Sequence, residues 1–224
     1  MTAKLRVERL GAEREPVVVV ENFSPHPERL LEEAAGLDYA TMGPHYPGVR
    51  AHVSPLYFEG LAPVLSPIIR DIFGYRRRLE VDRALYSLVT TPPGALTLAQ
   101  RIPHFDGVAP GMVAIIHYLG ETDRGGTGFY RHRSTGFETV TEVRHRPYLD
   151  ALKADFERLG EPGPAYIEGD TPIFERIGIV APAYNRAVIY RSALLHCGAG
   201  LGGHDFSADP RTGRLTVASF LKAW

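Results

Sequence analysis

Apolar positions in the first third of the chain recur mostly at helical spacing, broken by one β-branched run. That run, PVVVVENF (16–23), predicts a strand. The segment after it, SPHPERLLEEAAGL, carries helix-start signals in Ser24, Pro25 and Pro27. Leu30, Leu31, Ala34 and Leu37 then share one helical face. PHYPGVRAHVS (44–54) reads as turn-rich, and 54–74 as helical with a break near Pro63 or Pro67. From residue 76 the texture changes. RRRLEVDRALYSLVT, LTLAQRIPHF, GMVAIIHYLG, GTGFYRHR, PIFERIGIVAPA, NRAVIYRSALLH and GRLTVASFLKAW are short strand-like runs punctuated by Gly, Pro, Asn and Asp. One helix interrupts them, RPYLDALKADFERLG, with Leu149, Leu152, Phe156 and Leu159 on one face and Gly160 as its stop. The pattern predicts a mainly β protein with flanking helices, an antiparallel barrel or jelly roll of about seven or eight strands.

A chain of 224 residues is long enough for one sizeable core, so a single domain is expected over 1–224. Residues 1–75 would be a helical support region and 76–224 the β core, with a helical insertion near 147–159.

Composition narrows the partners. Lys+Arg 25 against Asp+Glu 26 gives a formal charge of −1, without a basic stripe for nucleic acid or a polybasic run for membrane. MTAKLRVERLGAERE is charged throughout and lacks the apolar centre of a signal peptide, and PVVVV and MVAII are too short to cross a bilayer. The single cysteine, Cys197, excludes an internal disulfide and fits a reducing compartment. A soluble cytoplasmic protein is expected.

The candidate chemistry starts in RIPHFDG, where His104 and Asp106 stand two apart. On a strand they would aim an imidazole and a carboxylate at one spot. Alone, such a pair reads equally as a strand-edge ion pair. A late apolar strand, however, ends in His196. Two histidines and one carboxylate suit Fe(II) and leave open positions for substrate, cosubstrate or oxygen. With one cysteine an all-sulfur site is impossible. Further on, Arg214 and Thr216 share a face of an otherwise apolar strand, and a guanidinium there needs an anionic partner.

The order HFD, GG, H and R-x-T resembles the Fe(II)- and 2-oxoglutarate-dependent dioxygenases, especially the prolyl-4-hydroxylase-like branch, over roughly residues 76 to 224. The resemblance implies a double-stranded β-helix core supported by N-terminal helices. It implies Fe(II) held by His104, Asp106 and His196, with O2 and 2-oxoglutarate as cosubstrates. It assigns the distal carboxylate of 2-oxoglutarate to Arg214 with Thr216, and to Tyr118 in AIIHYLGETDRGGTGFY. Tyr86 would lie near the cosubstrate, and Tyr130, Arg131 and His132 would border the substrate pocket. The stretch between His196 and Arg214 is wider than the family's, which leaves Arg211 as a rival anchor. Gly125 and Gly126 read as a tight turn, His117 as a core histidine and Cys197 as a buried thiol. The implied activity is hydroxylation of a small molecule, amino acid or peptide with release of succinate and CO2. A silent β-helix binding module and a cupin-type metalloenzyme without 2-oxoglutarate remain the alternatives.

Overall fold

The computed structural model describes residues 2–120, 125–202 and 205–224. In chain order it contains β1 (Lys4–Leu10), β2 (Glu15–Glu21), α1 (Pro27–Ala35), β3 (Gly48–His52), α2 (Ala62–Pro67) and β4 (Leu79–Val89). There follow β5 (Met112–Tyr118), β6 (Gly126–His132), α3 (Glu142–Leu159), β7 (Phe174–Val180), β8 (Arg186–Arg191), β9 (His196–Ala199) and β10 (Leu215–Ala223). Seven strands pair as β1-β2-β8-β5-β10-β4-β3 and three as β7-β6-β9, every pair antiparallel.

Period-two alternation gives the large sheet two apolar faces. On one, Val18, Leu88 and Val217 pack with Leu30 and Ala34 of α1 and with Leu65 and Ile68. On the other, Val19, Ala114, Val188 and Ala218 meet Phe129 and Val180 of the small sheet. Burying one such aliphatic or aromatic side chain contributes roughly 1.5–3 kcal/mol, so both layers hold the large sheet in place. The far face of the small sheet packs Tyr130, Phe174 and Leu195 against Tyr148 and Leu152 of α3. Two facing antiparallel sheets with helices outside make a jelly roll, and its interior is the space between the sheets.

Several local features differ from the pattern-based expectation. The first 75 residues supply α1, α2 and the expected strand β2, and also β1 and β3 of the large sheet. α1 starts at Pro27 with His26 as its cap residue rather than Ser24. Pro67 has no amide hydrogen to donate, and a π turn over Ile68–Ile72 continues from α2 at that point. α3 begins at Glu142 rather than near Pro147, and it buries Tyr148, Leu152 and Asp155 while Leu149 and Leu159 stay exposed. Among the described residues no helix is long and apolar enough to cross a membrane.

Candidate metal centre

The site is built first by backbone pairing. The expected strand LTLAQRIPHF is instead a 3-10 turn over Leu98–Gln100 followed by an isolated bridge, His104 to His196. The amide of each of these two residues donates to the carbonyl of the other at 2.8 Å, and the Asp106 amide donates to the Ser192 carbonyl at 2.8 Å. Pinned on both sides of Phe105, the segment sends His104 and Asp106 toward His196 at the head of β9. One ligand atom from each of the three lies within 4.8 Å of the others. The two imidazole centroids are 4.4 Å apart. The His196 and Asp106 side chains are 6% and 15% exposed, whereas His104 opens to the barrel mouth.

The electrostatics of this cluster call for a cation. His196 Nδ1 lies 2.8 Å from the Leu194 carbonyl oxygen, so that nitrogen carries the hydrogen and donates it. Its Nε2 then presents a lone pair to Asp106 Oδ2, 3.2 Å away. Two acceptors face each other, with His104 Nε2 a further 3.8 Å from Asp106 Oδ1. A proton or a metal ion between them resolves the conflict. The N,N,O donor set suits a divalent first-row metal. Burial alone would raise the Asp106 pKa, but the positive charge and hydrogen bond that His196 supplies when protonated, and then His104, outweigh it and lower the pKa, so the carboxylate is the form that meets a cation here. Desolvation, and after it the neighbouring His196, lower the His104 pKa against the pull of Asp106, which favours the neutral ring that binds metal.

A second group of polar side chains lies on the same inner face. Arg214, just before β10, donates to the carbonyls of Gly125 at 3.3 Å and Gly126 at 3.2 Å, and has no carboxylate partner among the described residues. Its Cζ is 5.7 Å from the centroid of the Tyr118 ring. The Tyr118 hydroxyl bonds the Thr127 hydroxyl at 2.6 Å. Gly125 has φ +76, and a Cβ on Gly126 would come within 2.1 Å of the Val180 carbonyl oxygen. Only glycine lets this turn bring its carbonyls to the guanidinium. The acidic turn before it, 121–123, lies outside the described residues. Thr216 is buried, and its hydroxyl donates to the Ser87 carbonyl at 3.4 Å.

Other expected site residues stand elsewhere. Tyr86, expected beside the cosubstrate, belongs to the helix-side core and donates to Glu33 Oε2 of α1 at 3.1 Å. Its register partner is Val217; Ser87, opposite Thr216, is the residue that faces inward. Tyr130, expected at the substrate pocket, is buried beneath α3. Arg131 is paired with Glu138 and Glu175, and His132 is buried 3.1 Å from Asp155. All three have structural neighbours instead of the pocket. Arg211 lies outside the barrel, on a cleft lined by Leu31, Leu119 and Tyr184. His117 is fully buried among Tyr57, Phe23 and Asn185, and burial raises the Cys197 thiol pKa to about 12.

Pattern reading missed Tyr190, whereas HYPGVR (45–50), with Tyr46 and Arg50, reads either as a site rim or as a turn built on Pro47 and Gly48. The Tyr190 ring packs 4.7 Å from that of His196, and its buried hydroxyl has no hydrogen-bond partner among the described residues. Burial, then the charge of Asp106, pushes its pKa far up, while Arg214 pulls the other way. Its alternation within RAVIYR was the available signal, but alternation alone does not say which face turns inward.

A family model described as a family of unknown function (DUF6445) matches residues 1–221. No curated protein matches the chain by sequence. Among solved structures, it is similar to the non-heme alpha ketoglutarate dependent epimerase SnoN from nogalamycin biosynthesis. That pair shares 13% identity over 94% of this chain and 79% of SnoN, with a TM-score of 0.52. HygX from Streptomyces hygroscopicus with iron bound matches at 13% identity, 92% and 82% coverage and TM-score 0.46. An N-substituted L-amino acid dioxygenase from Burkholderia ambifaria AMMD, in complex with alpha-KG, matches at 12%, 99% and 94%, with TM-score 0.46. The likeness to SnoN is one of fold.

Proposed function

We propose a function for this chain, which belongs to the family of unknown function DUF6445: it is a non-haem Fe(II)- and 2-oxoglutarate-dependent oxygenase. One observation carries the reading. His196 Nε2 and Asp106 Oδ2 face each other at 3.2 Å as two acceptors, His104 completes the set, and an Arg214 without a carboxylate partner among the described residues waits on the same inner face. The jelly roll shared with SnoN is a scaffold on which such a site can be built.

In this reading His104, Asp106 and His196 hold Fe(II), and Arg214 with the Tyr118 hydroxyl takes the distal carboxylate of 2-oxoglutarate. Thr127, bonded to Tyr118, fixes the direction in which that hydroxyl can donate. The bound iron, 2-oxoglutarate and O2 would supply oxidative decarboxylation coupled to oxidation of a C–H bond, giving succinate and CO2. Leu194 orients the His196 ring by accepting its Nδ1 hydrogen, as backbone carbonyls do for metal-binding histidines. Tyr190 walls one side of the site and keeps bulk water from it. The substrate is a small molecule, amino acid or peptide. Hydroxylation is the default outcome, because Asp106 fills the position that a halide would need.

Thermal melting under anaerobic conditions tests this. Fe(II) with 2-oxoglutarate at about a hundred times the dissociation constant contributes roughly 2.7 kcal/mol, on the order of 5 to 11 °C for a chain of this size. With air admitted, succinate should then accumulate. A shift with iron alone would leave a cupin-type metalloenzyme. No shift at all would leave a silent module.

A further inference from the structure

The inner face of the large sheet carries a second guanidinium. β3 and β4 pair with Arg50 opposite Ser87, Ser87 stands opposite Thr216, and Thr216 opposite Tyr118. Arg50 is therefore in the same cross-strand row as the proposed cosubstrate residues, two strands or about 10 Å from Thr216. Gly48 makes this close pairing possible, since a Cβ there would come within 1.9 Å of the Leu88 carbonyl oxygen.

The Arg50 guanidinium carbon sits over the Tyr46 ring, 3.9 Å from its centroid. It forms no ion pair with a described residue, and its Nε is buried without a hydrogen-bond partner. The Tyr46 hydroxyl is also buried, with the Ser87 side chain as its polar neighbour. Leaving a buried donor unsatisfied costs folding free energy, and a charged donor costs more. Burial lowers the Arg50 pKa; Tyr46 and Asp106 oppose this and Arg83 adds to it. The cross-strand row with Ser87 and Thr216 puts Arg50 on the inner face. Arg214 is already committed to the cosubstrate in the reading above. Arg50 has no such duty.

We propose that Arg50, with the Tyr46 hydroxyl beside it, binds a carboxylate of the substrate, so that the oxidised molecule is a small organic acid. The substrate role rests on the oxygenase reading; the anion site itself stands on its own geometry. A single planar guanidinium supplies one charge and a two-pronged donor, which matches a carboxylate, and the phenol adds a third hydrogen bond. The ring beneath holds the fork in place before the ligand arrives.

The test compares straight-chain carboxylic acids from acetate to octanoate with their primary amides. Each is added to the anaerobic protein already saturated with Fe(II) and 2-oxoglutarate, and melting is followed. At least one acid should raise the melting temperature by about 3 to 6 °C at ten times its dissociation constant, and its amide should not. Arg50→Gln should abolish that response yet keep the Fe(II) and 2-oxoglutarate shift. Unliganded Arg50→Gln should melt no lower than the unmutated protein, because it removes a cation whose buried Nε has no partner among the described residues. The proposal is overturned if no acid acts on the unmutated protein, or if Arg50→Gln responds equally. It is also overturned if the variant loses the 2-oxoglutarate shift or melts several degrees lower without ligand. Absence of any Fe(II) and 2-oxoglutarate shift in the unmutated protein would sink the oxygenase reading alone. The acid-against-amide comparison would still decide the role of Arg50.

Discussion

His117 sets a measurable pH limit on the fold. Its ring is fully buried in β5, with Nε2 3.0 Å from Asn185 Oδ1 and Nδ1 3.3 Å from the Tyr57 hydroxyl. Asn185 Oδ1 also accepts from the Ser24 amide, so Nε2 carries the hydrogen and the ring is neutral. Burial pushes its pKa down from 6.5 to about 4, against a partial upward pull from Asn185. The unfolded chain therefore takes up the proton first. Stability is complete above about pH 6.5 and is lost as pH falls toward 4. At about 1.36 kcal/mol for each pH unit between the two values, the full loss is roughly 3 kcal/mol. At pH 5 about 2 kcal/mol is already gone, some 4 to 8 °C of melting temperature for a chain of this length. Other groups titrate in the same range, so the assay is a difference. Urea unfolding of the unmutated protein and of His117→Gln is compared at pH 7.5 and pH 5. The variant starts less stable but should lose about 2 kcal/mol less between the two conditions. Parallel losses would refute the assignment of this proton to His117.

Three further substitutions probe the site's construction. Arg214→Ala removes a charged donor worth about 1.5–3 kcal/mol, so 2-oxoglutarate affinity should fall roughly 10- to 150-fold by calorimetry while Fe(II) affinity holds. An unchanged cosubstrate affinity would return the anchor to another residue. Gly126→Ala forces a Cβ to within 2.1 Å of the Val180 carbonyl oxygen and should destabilise the fold by about 1–3 kcal/mol in denaturant titration. No loss would mean that the β6–β7 pairing yields easily. Tyr190→Phe deletes a buried hydroxyl that makes no bond, so unliganded stability should stay level or rise by about 1 kcal/mol, and 2-oxoglutarate should bind more weakly. A marked loss of unliganded stability would show that the hydroxyl has a structural partner.

The chemistry was more legible in the sequence than the faces on which it stands. His104, Asp106 and His196 stand out because their side chains have few other reasons to occur in that order. Their shared direction, however, comes from a bridge and three backbone hydrogen bonds, not from a regular strand. Tyr86 and Ser87 show the limit of period-two reasoning. Neighbours on one strand point to opposite layers, and a one-residue difference moved the tyrosine to the helix side. β1 was hidden because it is an edge strand, where Leu5 and Val7 alternate with charges and all four of Lys4 to Val7 stay exposed. β3 was hidden by its glycine and arginine inside a turn-rich segment, although that glycine is what lets it approach β4. Pro147 suggested a helix start because proline is tolerated there, but α3 had begun at Glu142.

The most direct test of the central claim is an anaerobic calorimetric titration of Fe(II) into the unmutated protein, Asp106→Ala and His196→Ala. One ion should bind per chain in the unmutated protein, and both variants should lose that binding while keeping their fold by circular dichroism. Equal iron binding by all three would place the metal elsewhere and contradict the account.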